Sequence, residues 1–266
     1  MSKQRLDLAM VQRGLVSSRS QAENYIKLGK VKINGRQIAK AGYFVDSGDL
    51  VELEQKEQYV SRAGLKLASV ADIFELDFRG KSVLDVGSST GGFTDYALKH
   101  GAKKVIAVDV GTNQLHPSLK NNPRIELHEK TDIRDVRLKQ NGGRAARASD
   151  ALRARRDEKP RKGCLITVPA VVLIDVSFIS LREVLPAVVN LSKKSTQIVA
   201  MLKPQFEAGK EQTNRGVVKN DRLRRQILKA FEEWTKDLFV VVAKADSDIS
   251  GASGNLERFY LLHLKA

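Results

Sequence analysis

The stretch VLDVGSSTGGFTDYALKHG, Val83–Gly101, decides the fold of this chain. Three of its first four residues are apolar and predict a short buried strand, and FTDYALKHG predicts a helix. The glycines between them allow a tight turn in which the backbone approaches a ligand closely. In a doubly wound sheet such a turn lies at the carboxyl edge of the strands, where ligands bind. The stretch therefore predicts an α/β fold with a ligand site at this turn.

The chain from residue 81 onward repeats this pattern of strand and helix. Helical stretches such as DRLRRQILKAFEEWTKD separate most of its apolar, β-branched runs. This alternation predicts a Rossmann-like, doubly wound and mostly parallel sheet. The further predicted strands are, in chain order, KKVIAVDV, RIELHEK, VVLIDV, TQIVAML, LFVVVA and LERFYLLHL.

Residues 1–58 predict a separate small α+β unit. RLDLAMVQRGL has apolar residues at helical spacing. SSRSQAENYIKLGKV predicts a second helix, with Ser18 or Ser20 as N-cap and Gly29 as its stop signal. Asn34-Gly35 between two β-prone runs predicts a hairpin, and DLVELE a further strand. We expect three parts, namely this unit, a linker with a leading helix over 59–80, and the α/β domain over 81–266.

The stretch RLDLAMVQRGLVSSRSQAENYIKLGKVKINGRQI resembles the S4 RNA-binding domain. The resemblance implies that the second helix and the hairpin, which also carries Lys40, present basic side chains to structured RNA. A helix–hairpin adaptor with a solvated basic face is the alternative. The RNA-binding residues that we predict are Arg5, Arg19, Lys27, Lys30, Lys32, Arg36 and Arg62.

The charge of the chain indicates a polyanionic partner. The sequence has 46 Lys and Arg against 31 Asp and Glu, a net charge of +15. Nucleic acid is favoured over an anionic membrane surface and over a surplus that serves solubility alone. No run approaches the ~18 apolar residues of a spanning helix, and MSKQRLDLAM has no apolar signal core. The single cysteine and the spacing of the histidines predict no disulfide framework and no metal site. These features are typical of a cytoplasmic protein.

A basic segment from Arg137 to about residue 163 interrupts the alternation. Up to Lys162 it holds ten Lys and Arg but only three acids, and breakers flank an Ala- and Arg-rich stretch. It is too polar for a core, so we expect a surface insertion between two strands. An RNA-gripping segment and a solvated loop without a partner both remain open.

The glycine turn predicts the cofactor. Gly87, Gly91 and Gly92 have the spacing G-x-x-x-G-G, which is neither the dinucleotide fingerprint nor the P-loop. The next predicted strand ends at Asp109, where an acid binds a ribose diol, and Asp132 is placed to reach an adenine amine. The combination favours S-adenosylmethionine over NAD, with a structural turn in a non-enzymatic sheet as the alternative. The predicted cofactor contacts are Asp85, Gly87, Ser88, Ser89, Thr90, Gly91, Gly92, Phe93, Asp109 and Asp132.

A charged residue follows each of two core strands. Asp175 follows VVLI, and Lys203 follows IVAML. Parallel strands end at the same edge of a sheet, so both side chains should lie beside the Gly87 turn. Coupled charges in a cleft are functional candidates, although a plain salt bridge is the alternative.

Six stretches together resemble the hemolysin A / TlyA family, and the resemblance covers nearly the whole chain. They are YVSRAGLKL, DVGSSTGGFTD, VDVGTNQLHPSL, IDVSFISL, LKPQFEAGKE and RGVV. These are S4-domain proteins with an FtsJ-like, class I methyltransferase domain that 2′-O-methylate cytidines of ribosomal RNA. The resemblance implies a catalytic tetrad of Lys66, Asp175, Lys203 and Glu257. It also makes Lys203 the proton acceptor, which Asp175 and Lys66 orient, while Glu257 holds the array or the ribose. The long basic insertion departs from the family pattern.

The resemblance implies an enzyme that uses S-adenosylmethionine, acts on ribosomal RNA or ribosomal subunits, and needs no metal or membrane. A catalytically inert RNA-binding assembly factor is one alternative, against which the four intact residue types speak. A membrane-active hemolysin is the other, and the absence of an amphipathic apolar face speaks against it. The modified nucleotide and the oligomeric state stay open.

Overall fold

The structure, a computed structural model, describes residues 3–16, 18–27, 29–40, 42–54, 59–138, 164–165, 167–209, 213, 216–218, 220–251 and 254–265. The chain forms two compact units, Met1–Arg62 and Ala63–Ala266. The three-part division at residues 58 and 80 stays a prediction. Most of the predicted basic insertion, residues 139–163, lies outside the described residues.

The first unit combines two helices with short antiparallel strands. One sheet has the order β3-β2-β5, and β1 pairs with β4. Its apolar core includes Leu6, Met10, Ile26 and Val31. The elements are β1 (Gln4–Arg5), α1 (Leu6–Gln12), α2 (Arg19–Lys27), β2 (Val31–Ile33), β3 (Arg36–Ile38), β4 (Phe44–Val45) and β5 (Val51–Leu53).

Local sequence explains the turns of this unit. The Ser18 hydroxyl accepts a hydrogen bond from the Gln21 amide at 3.3 Å and so caps α2. Gly29 follows the helix at φ 66°, a left-handed conformation that suits glycine after a helix. Asn34 and Gly35 both have positive φ, as a two-residue hairpin turn requires. The predicted N-cap at Ser18, the stop at Gly29 and the hairpin are confirmed.

The second unit is built on a seven-stranded sheet with the order β13-β14-β12-β11-β6-β7-β8. Strand β14 is antiparallel to both of its neighbours, and the other adjacent pairs are parallel. The elements are α3 (Arg62–Ala71), β6 (Ser82–Val86), α4 (Gly92–Lys99), β7 (Lys104–Val108), β8 (Ile125–His128), β9 (Arg137–Leu138), β10 (Cys164–Leu165), β11 (Val171–Ile174), α5 (Leu181–Val189), β12 (Gln197–Leu202), α6 (Pro204–Glu207), α7 (Asp221–Thr235), β13 (Phe239–Asp246) and β14 (Arg258–Leu264).

This sheet confirms the predicted doubly wound, mostly parallel architecture and every strand expected after residue 80. All four residues of β11 are fully buried because the strand lies at the centre of the sheet. That position explains its continuous apolar run, since strands of parallel sheets are covered on both faces. Arg137–Leu138 and Cys164–Leu165 pair in parallel on either side of residues 139–163.

The strand register decides which side chains meet. Ile174, the last residue of β11, pairs with Val86 on one side and Ala200 on the other. Leu202, the last residue of β12, pairs with Arg258, the first residue of the antiparallel β14. The residues that follow β6, β11 and β12, and those that precede β14, therefore share one edge of the sheet, called the carboxyl edge below.

Candidate active site

The glycine turn after β6 packs tightly against the segment after β11. Gly87 has φ 80°, and a Cβ at this position would lie 2.6 Å from the Asp175 carbonyl oxygen. Gly91 has φ 91°, and a Cβ there would meet Leu115 and Leu119 within 2.7 Å. A side chain at Gly87 would force the turn away from Asp175, so glycine keeps these two segments in contact.

A cavity of about 330 Å³ opens at the carboxyl edge. Four of the predicted cofactor residues line it, namely Gly87, Ser89, Asp109 and Asp132. Asp175, which was predicted to lie beside the Gly87 turn, also lines it. The rest of its wall is mostly apolar and was not predicted as part of the site: Val86, Val108, Val110, Ile133, Val176, Phe178, Ile179 and Val184, with the polar Gln114, Thr131 and Ser177.

A smaller cavity of about 80 Å³ is also lined by the Gly87 turn. Asp175 borders both cavities. The predicted cofactor residues Asp85, Gly87, Ser88, Ser89, Thr90, Gly92 and Phe93 all line the smaller one. Gly91 lines neither of these two cavities, because it packs against Leu115 and Leu119. Its contact with the cofactor stays a prediction.

Asp109 joins two loops at the carboxyl edge. Its Oδ2 accepts a hydrogen bond from the Ser89 amide at 2.8 Å, and its Oδ1 accepts one from the Gly111 amide at 2.7 Å. These bonds tie the residue after β7 to the glycine turn after β6. The carboxylate therefore has a fixed position in the wall of the larger cavity, as a ligand for a diol would need.

Asp132 is held by Arg134. The guanidinium donates to both carboxylate oxygens, at 3.0 and 2.7 Å. The Arg134 side chain is the main cause of a lowered pKa for Asp132, against which partial burial works. An ionised carboxylate accepts hydrogen bonds only, so Asp132 could still receive an adenine amine.

Asp85 is a fully buried carboxyl group below the glycine turn. Burial raises its pKa to about 7, and the charges of Asp175 and Asp109 add to the shift, while a hydrogen bond from Thr94 opposes it. The Thr94 hydroxyl donates to Oδ2 at 2.6 Å. Oδ1 has no hydrogen-bond partner among the described residues. Asp85, which lines the smaller cavity, thus has an unused polar atom.

Asp175 and Lys203 meet as the register predicts. Lys203 Nζ lies 2.7 Å from Asp175 Oδ1 and donates a hydrogen bond to the Ser177 hydroxyl at 2.7 Å. The Lys203 and Asp175 side chains are only 12% and 17% exposed. Two contacts therefore fix the amine at the rim of the cavity. The sequence had not indicated Ser177.

Lys66 and Glu257 form the second ion pair. Lys66 on α3 contacts Glu257, which directly precedes β14, and both side chains are buried. Glu257 lies at the carboxyl edge because Arg258 pairs with Leu202. The structure thus brings the four predicted catalytic residues together as two ion pairs, Lys66 with Glu257 and Asp175 with Lys203. Their catalytic roles stay predictions.

Phe178 is an exposed aromatic residue in the wall of the larger cavity. Its side chain is 91% exposed, and its φ of 65° is unusual for a bulky residue. Its ring contacts Phe206 at 5.2 Å between centroids, and Lys203 Nζ lies 5.9 Å from the Phe206 ring. Strained residues of this kind cluster at functional sites. An aromatic residue three positions after Asp175 is the only trace of this feature in the sequence.

The predicted RNA-binding residues of the first unit fall into two groups. Arg5 and Arg19 both donate to the fully buried Asp7, at 3.0 and 2.9 Å. Lys32 pairs with Glu54. The others form no ion pair within the described part of the chain, and of these Lys27, Lys30 and Arg36 are exposed while Arg62 is half-buried.

No described helix could cross a bilayer. Within the same residues, no group of three or more His, Cys, Asp and Glu side chains is arranged to bind a metal ion.

Known proteins match both units. Residues 59–265 match the FtsJ-like methyltransferase family, and residues 4–51 match the S4 domain. Hemolysin A of Brachyspira hyodysenteriae is 36% identical over 97% of this chain and 98% of its own length. The 16S/23S rRNA (cytidine-2′-O)-methyltransferase TlyA of Mycobacterium tuberculosis is 37% identical over 97% and 89%. A solved structure of a presumed hemolysin from Streptococcus thermophilus is similar with a TM-score of 0.66 and 35% identity, over 100% and 90% of the two chains.

Proposed function

This chain belongs to the FtsJ-like methyltransferase family, and we propose that it transfers a methyl group from S-adenosylmethionine to the ribose 2′-hydroxyl of a cytidine in ribosomal RNA. The observation that carries the proposal is the Asp175–Lys203 pair, which lies at the rim of an apolar cavity. A ribosomal substrate would also place the chain in the cytoplasm, as its cysteine usage predicts.

The two cavities fit the cofactor. Val110 and Ile133 give the larger one apolar surface for an adenine ring, and Asp109 offers a fixed carboxylate for a ribose diol. Asp85 lines the smaller cavity and has an unpartnered Oδ1, which could accept a hydrogen bond from the methionine ammonium group of the cofactor. When bound, S-adenosylmethionine supplies an electrophilic methyl group. Asp175 borders both cavities, so the methyl group would be held between them.

Lys203 is the residue we assign as the proton acceptor. Only its neutral amine has a free lone pair, so the ammonium of the ion pair must first release a proton to solvent before it takes the proton of the ribose hydroxyl. A ribose hydroxyl is a poor nucleophile, and its proton must leave as the oxygen attacks. Asp175 and Ser177 hold the Lys203 amine at the cavity rim, and a general base must lie within hydrogen-bond reach of the proton that it accepts. In this assignment the Lys66–Glu257 pair supports the array from the start of β14.

Phe178 supports a nucleic-acid substrate. Its exposed ring stands in the wall of the same cavity as Asp175. Stacking of a base on an aromatic side chain contributes ~1–3 kcal/mol. A target nucleotide that stacks there would have its ribose near the Lys203 amine.

The decisive experiment maps the methyl group. The purified chain is incubated with methyl-labelled S-adenosylmethionine and unmodified ribosomal subunits, and the RNA is then hydrolysed with alkali. A 2′-O-methyl group blocks cleavage at its own nucleotide, so we expect the label in alkali-resistant dinucleotides that contain cytidine. Label in the bases, or cofactor binding without transfer to any RNA, would contradict the proposal.

The first unit has the separate role of holding the RNA. Lys27, Lys30 and Arg36 are exposed and unpaired among the described residues. Each phosphate contact contributes about 0.7–0.9 to the salt dependence of binding. Changing all three residues to Gln should lower the magnitude of the slope of log K against log salt by about 2. The control is the double variant Lys193→Gln with Lys194→Gln, whose residues lie before β12 at the amino edge of the seven-stranded sheet and which should leave the slope unchanged. Equal slopes for the wild type and the triple variant would remove these three residues from the interface.

A further inference from the structure

Two loops carry the Asp175–Lys203 pair. The segment from Asp175 to Ser180 connects β11 to α5. The segment from Lys203 to Glu207 follows β12 and includes the one-turn helix α6, and both segments are called loops below. Strands β11 and β12 are adjacent and in register, so the loops start side by side. Strand pairing, however, ends at Ile174 and Ala200. Contacts beyond the strands must hold the two loops together.

Glu207 makes such contacts. Its side chain is only 2% exposed. Oε2 accepts a hydrogen bond from the Ser180 hydroxyl at 2.6 Å, and Oε1 accepts one from the Leu181 amide at 2.7 Å. The carboxylate therefore binds the first turn of α5 from the neighbouring loop, where the helix dipole favours a negative charge. The Arg182 guanidinium lies 3.8 Å from the same carboxylate.

Burial of this carboxylate has a cost that its partners must offset. An unpaired buried charge is strongly destabilising, so a buried carboxylate persists only where hydrogen bonds satisfy it. Ser180 already caps α5 by accepting a hydrogen bond from the Arg182 amide at 3.1 Å. The helix thus has a local cap, and Glu207 adds a connection between the loops.

We propose that Glu207 is a positioning residue for methyl transfer, which holds the Lys203 loop against the Asp175 loop. The proposal rests on the proposed function of the Asp175–Lys203 pair. The loops touch at three levels. Lys203 contacts Asp175 and Ser177 at the cavity, Phe206 contacts Phe178 in the middle, and Glu207 contacts Ser180 and Leu181 at the far end.

The expected effect follows from the geometry of the base. Displacement of a catalytic group by about 1 Å costs up to ~100-fold in rate. Without the Glu207 carboxylate, the far ends of the loops lose the hydrogen bonds to Ser180 and Leu181. Of the contacts described above, the Phe178–Phe206 ring contact then remains to hold the loops together behind the Lys203 amine. The Asp175 loop also lines the cofactor cavity, but its start stays packed against Gly87. Asp109 and the glycine turn belong to other loops. The displacement should therefore fall on the Lys203 loop, and cofactor binding should change little.

The experiment compares Glu207→Ala, Glu207→Gln and Thr196→Val in the full chain. Glutamine has nearly the same size, and its amide can accept from Leu181 and donate to Ser180. Thr196 is a buried residue that joins the loops at the opposite ends of the same two strands. We expect kcat to fall ~10- to 100-fold for Glu207→Ala, with cofactor Kd within about twofold of wild type. Glu207→Gln should recover most of the rate, and Thr196→Val should lower the melting temperature but keep kcat.

A double variant separates positioning from general damage. If Glu207 acts through Lys203, Lys203→Ala combined with Glu207→Ala should be no slower than Lys203→Ala alone. Additive losses, a wild-type kcat for Glu207→Ala, or an equal kcat loss for Thr196→Val would each overturn the proposal. The same assay identifies the methylated atom in the wild-type reaction. Label outside the ribose would contradict the proposed function, whereas wild-type kcat in Glu207→Ala would contradict only the positioning role.

Discussion

The two ends of strands β11 and β12 are built from different chemistry. At the amino ends, the buried Thr196 hydroxyl donates to the Pro169 carbonyl at 2.9 Å and accepts from the Lys193 amide at 3.1 Å. At the carboxyl ends the corresponding links are ionised groups, Asp175 with Lys203 and Glu207 with the start of α5. A neutral hydroxyl connects loops without the desolvation cost of a charge. The charged links at the carboxyl end therefore indicate a function beyond connection.

The largest effect is expected at the charged end. Lys203→Ala should lower the rate of methyl transfer by about 10²–10⁴, the usual contribution of a general base. Single-turnover kinetics with saturating cofactor and RNA would measure it, with both affinities determined separately.

The rival view is that Lys203 and Asp175 form only a structural salt bridge. Under that view the variant would melt at a lower temperature and still transfer methyl groups at close to the wild-type rate. Asp175→Asn serves as the companion variant, because it keeps the volume and removes only the charge.

The second prediction concerns Asp85, inside the carboxyl half of β6. Because burial raises its pKa to about 7, the folded protein keeps a proton that the unfolded chain releases near pH 4. The folded state binds more protons between these values, so the free energy of unfolding should fall as pH rises from about 4 to 7. The loss is at most about 4 kcal/mol, at ~1.4 kcal/mol per pKa unit.

Urea unfolding at several pH values would measure this loss. Asp85→Asn should flatten the dependence between pH 4 and 7, while Thr196→Val, at the amino end, should keep the wild-type slope. Parallel curves for wild type and Asp85→Asn would mean that Asp85 is ionised in the folded protein.

The third prediction concerns the cofactor. Asp109→Ala removes the acceptor for the Ser89 and Gly111 amides and the proposed ligand of the ribose hydroxyls. An unmet hydrogen bond costs ~1–3 kcal/mol, so binding of S-adenosylmethionine should weaken about 5- to 150-fold. Isothermal calorimetry would measure the affinity. Unchanged affinity would remove Asp109 from the cofactor site.

The smallest effect is expected at the neutral end. Thr196→Val removes two hydrogen bonds, so that the buried Pro169 carbonyl and the Lys193 amide lose the hydroxyl as a partner. The variant should lose about 1–3 kcal/mol of unfolding free energy and none of its methyl-transfer rate. Denaturant unfolding and single-turnover kinetics on the same preparation would test both halves. A loss of rate here would weaken the contrast between the two ends.

Local patterns predict the sheet and half of the site well. The runs VVLI and IVAML are continuous because central strands are covered on both faces, and the residues after them emerge at one edge for the same reason. The register alone therefore joins Asp175 with Lys203. Asn34-Gly35 likewise predicts its hairpin because few other residues adopt two consecutive positive φ angles.

Local sequence patterns did not predict the contacts between segments that are distant in the sequence. Nothing near Glu207 in the sequence indicates that its carboxylate binds the start of a helix 26 residues earlier. Arg5 and Arg19 were predicted to bind RNA, yet both donate hydrogen bonds to Asp7. The burial of Asp7 depends on how α1 packs. The family resemblance assigned Lys66 and Glu257 to the same catalytic tetrad, but it did not predict that these two residues pair with each other.

The Lys66–Glu257 contact spans 191 residues of sequence and has a consequence for the biosynthesis of the enzyme. A contact of such high sequence separation carries a large loop-closure entropy, so we expect it to form late in folding. A growing polypeptide has no partner for Lys66 until translation has passed residue 257. We expect ribosome-bound chains stalled before that point to fold their first unit and hold RNA without methylating it. The chain would then become active only after β14 has been added, so that incomplete products do not modify ribosomes.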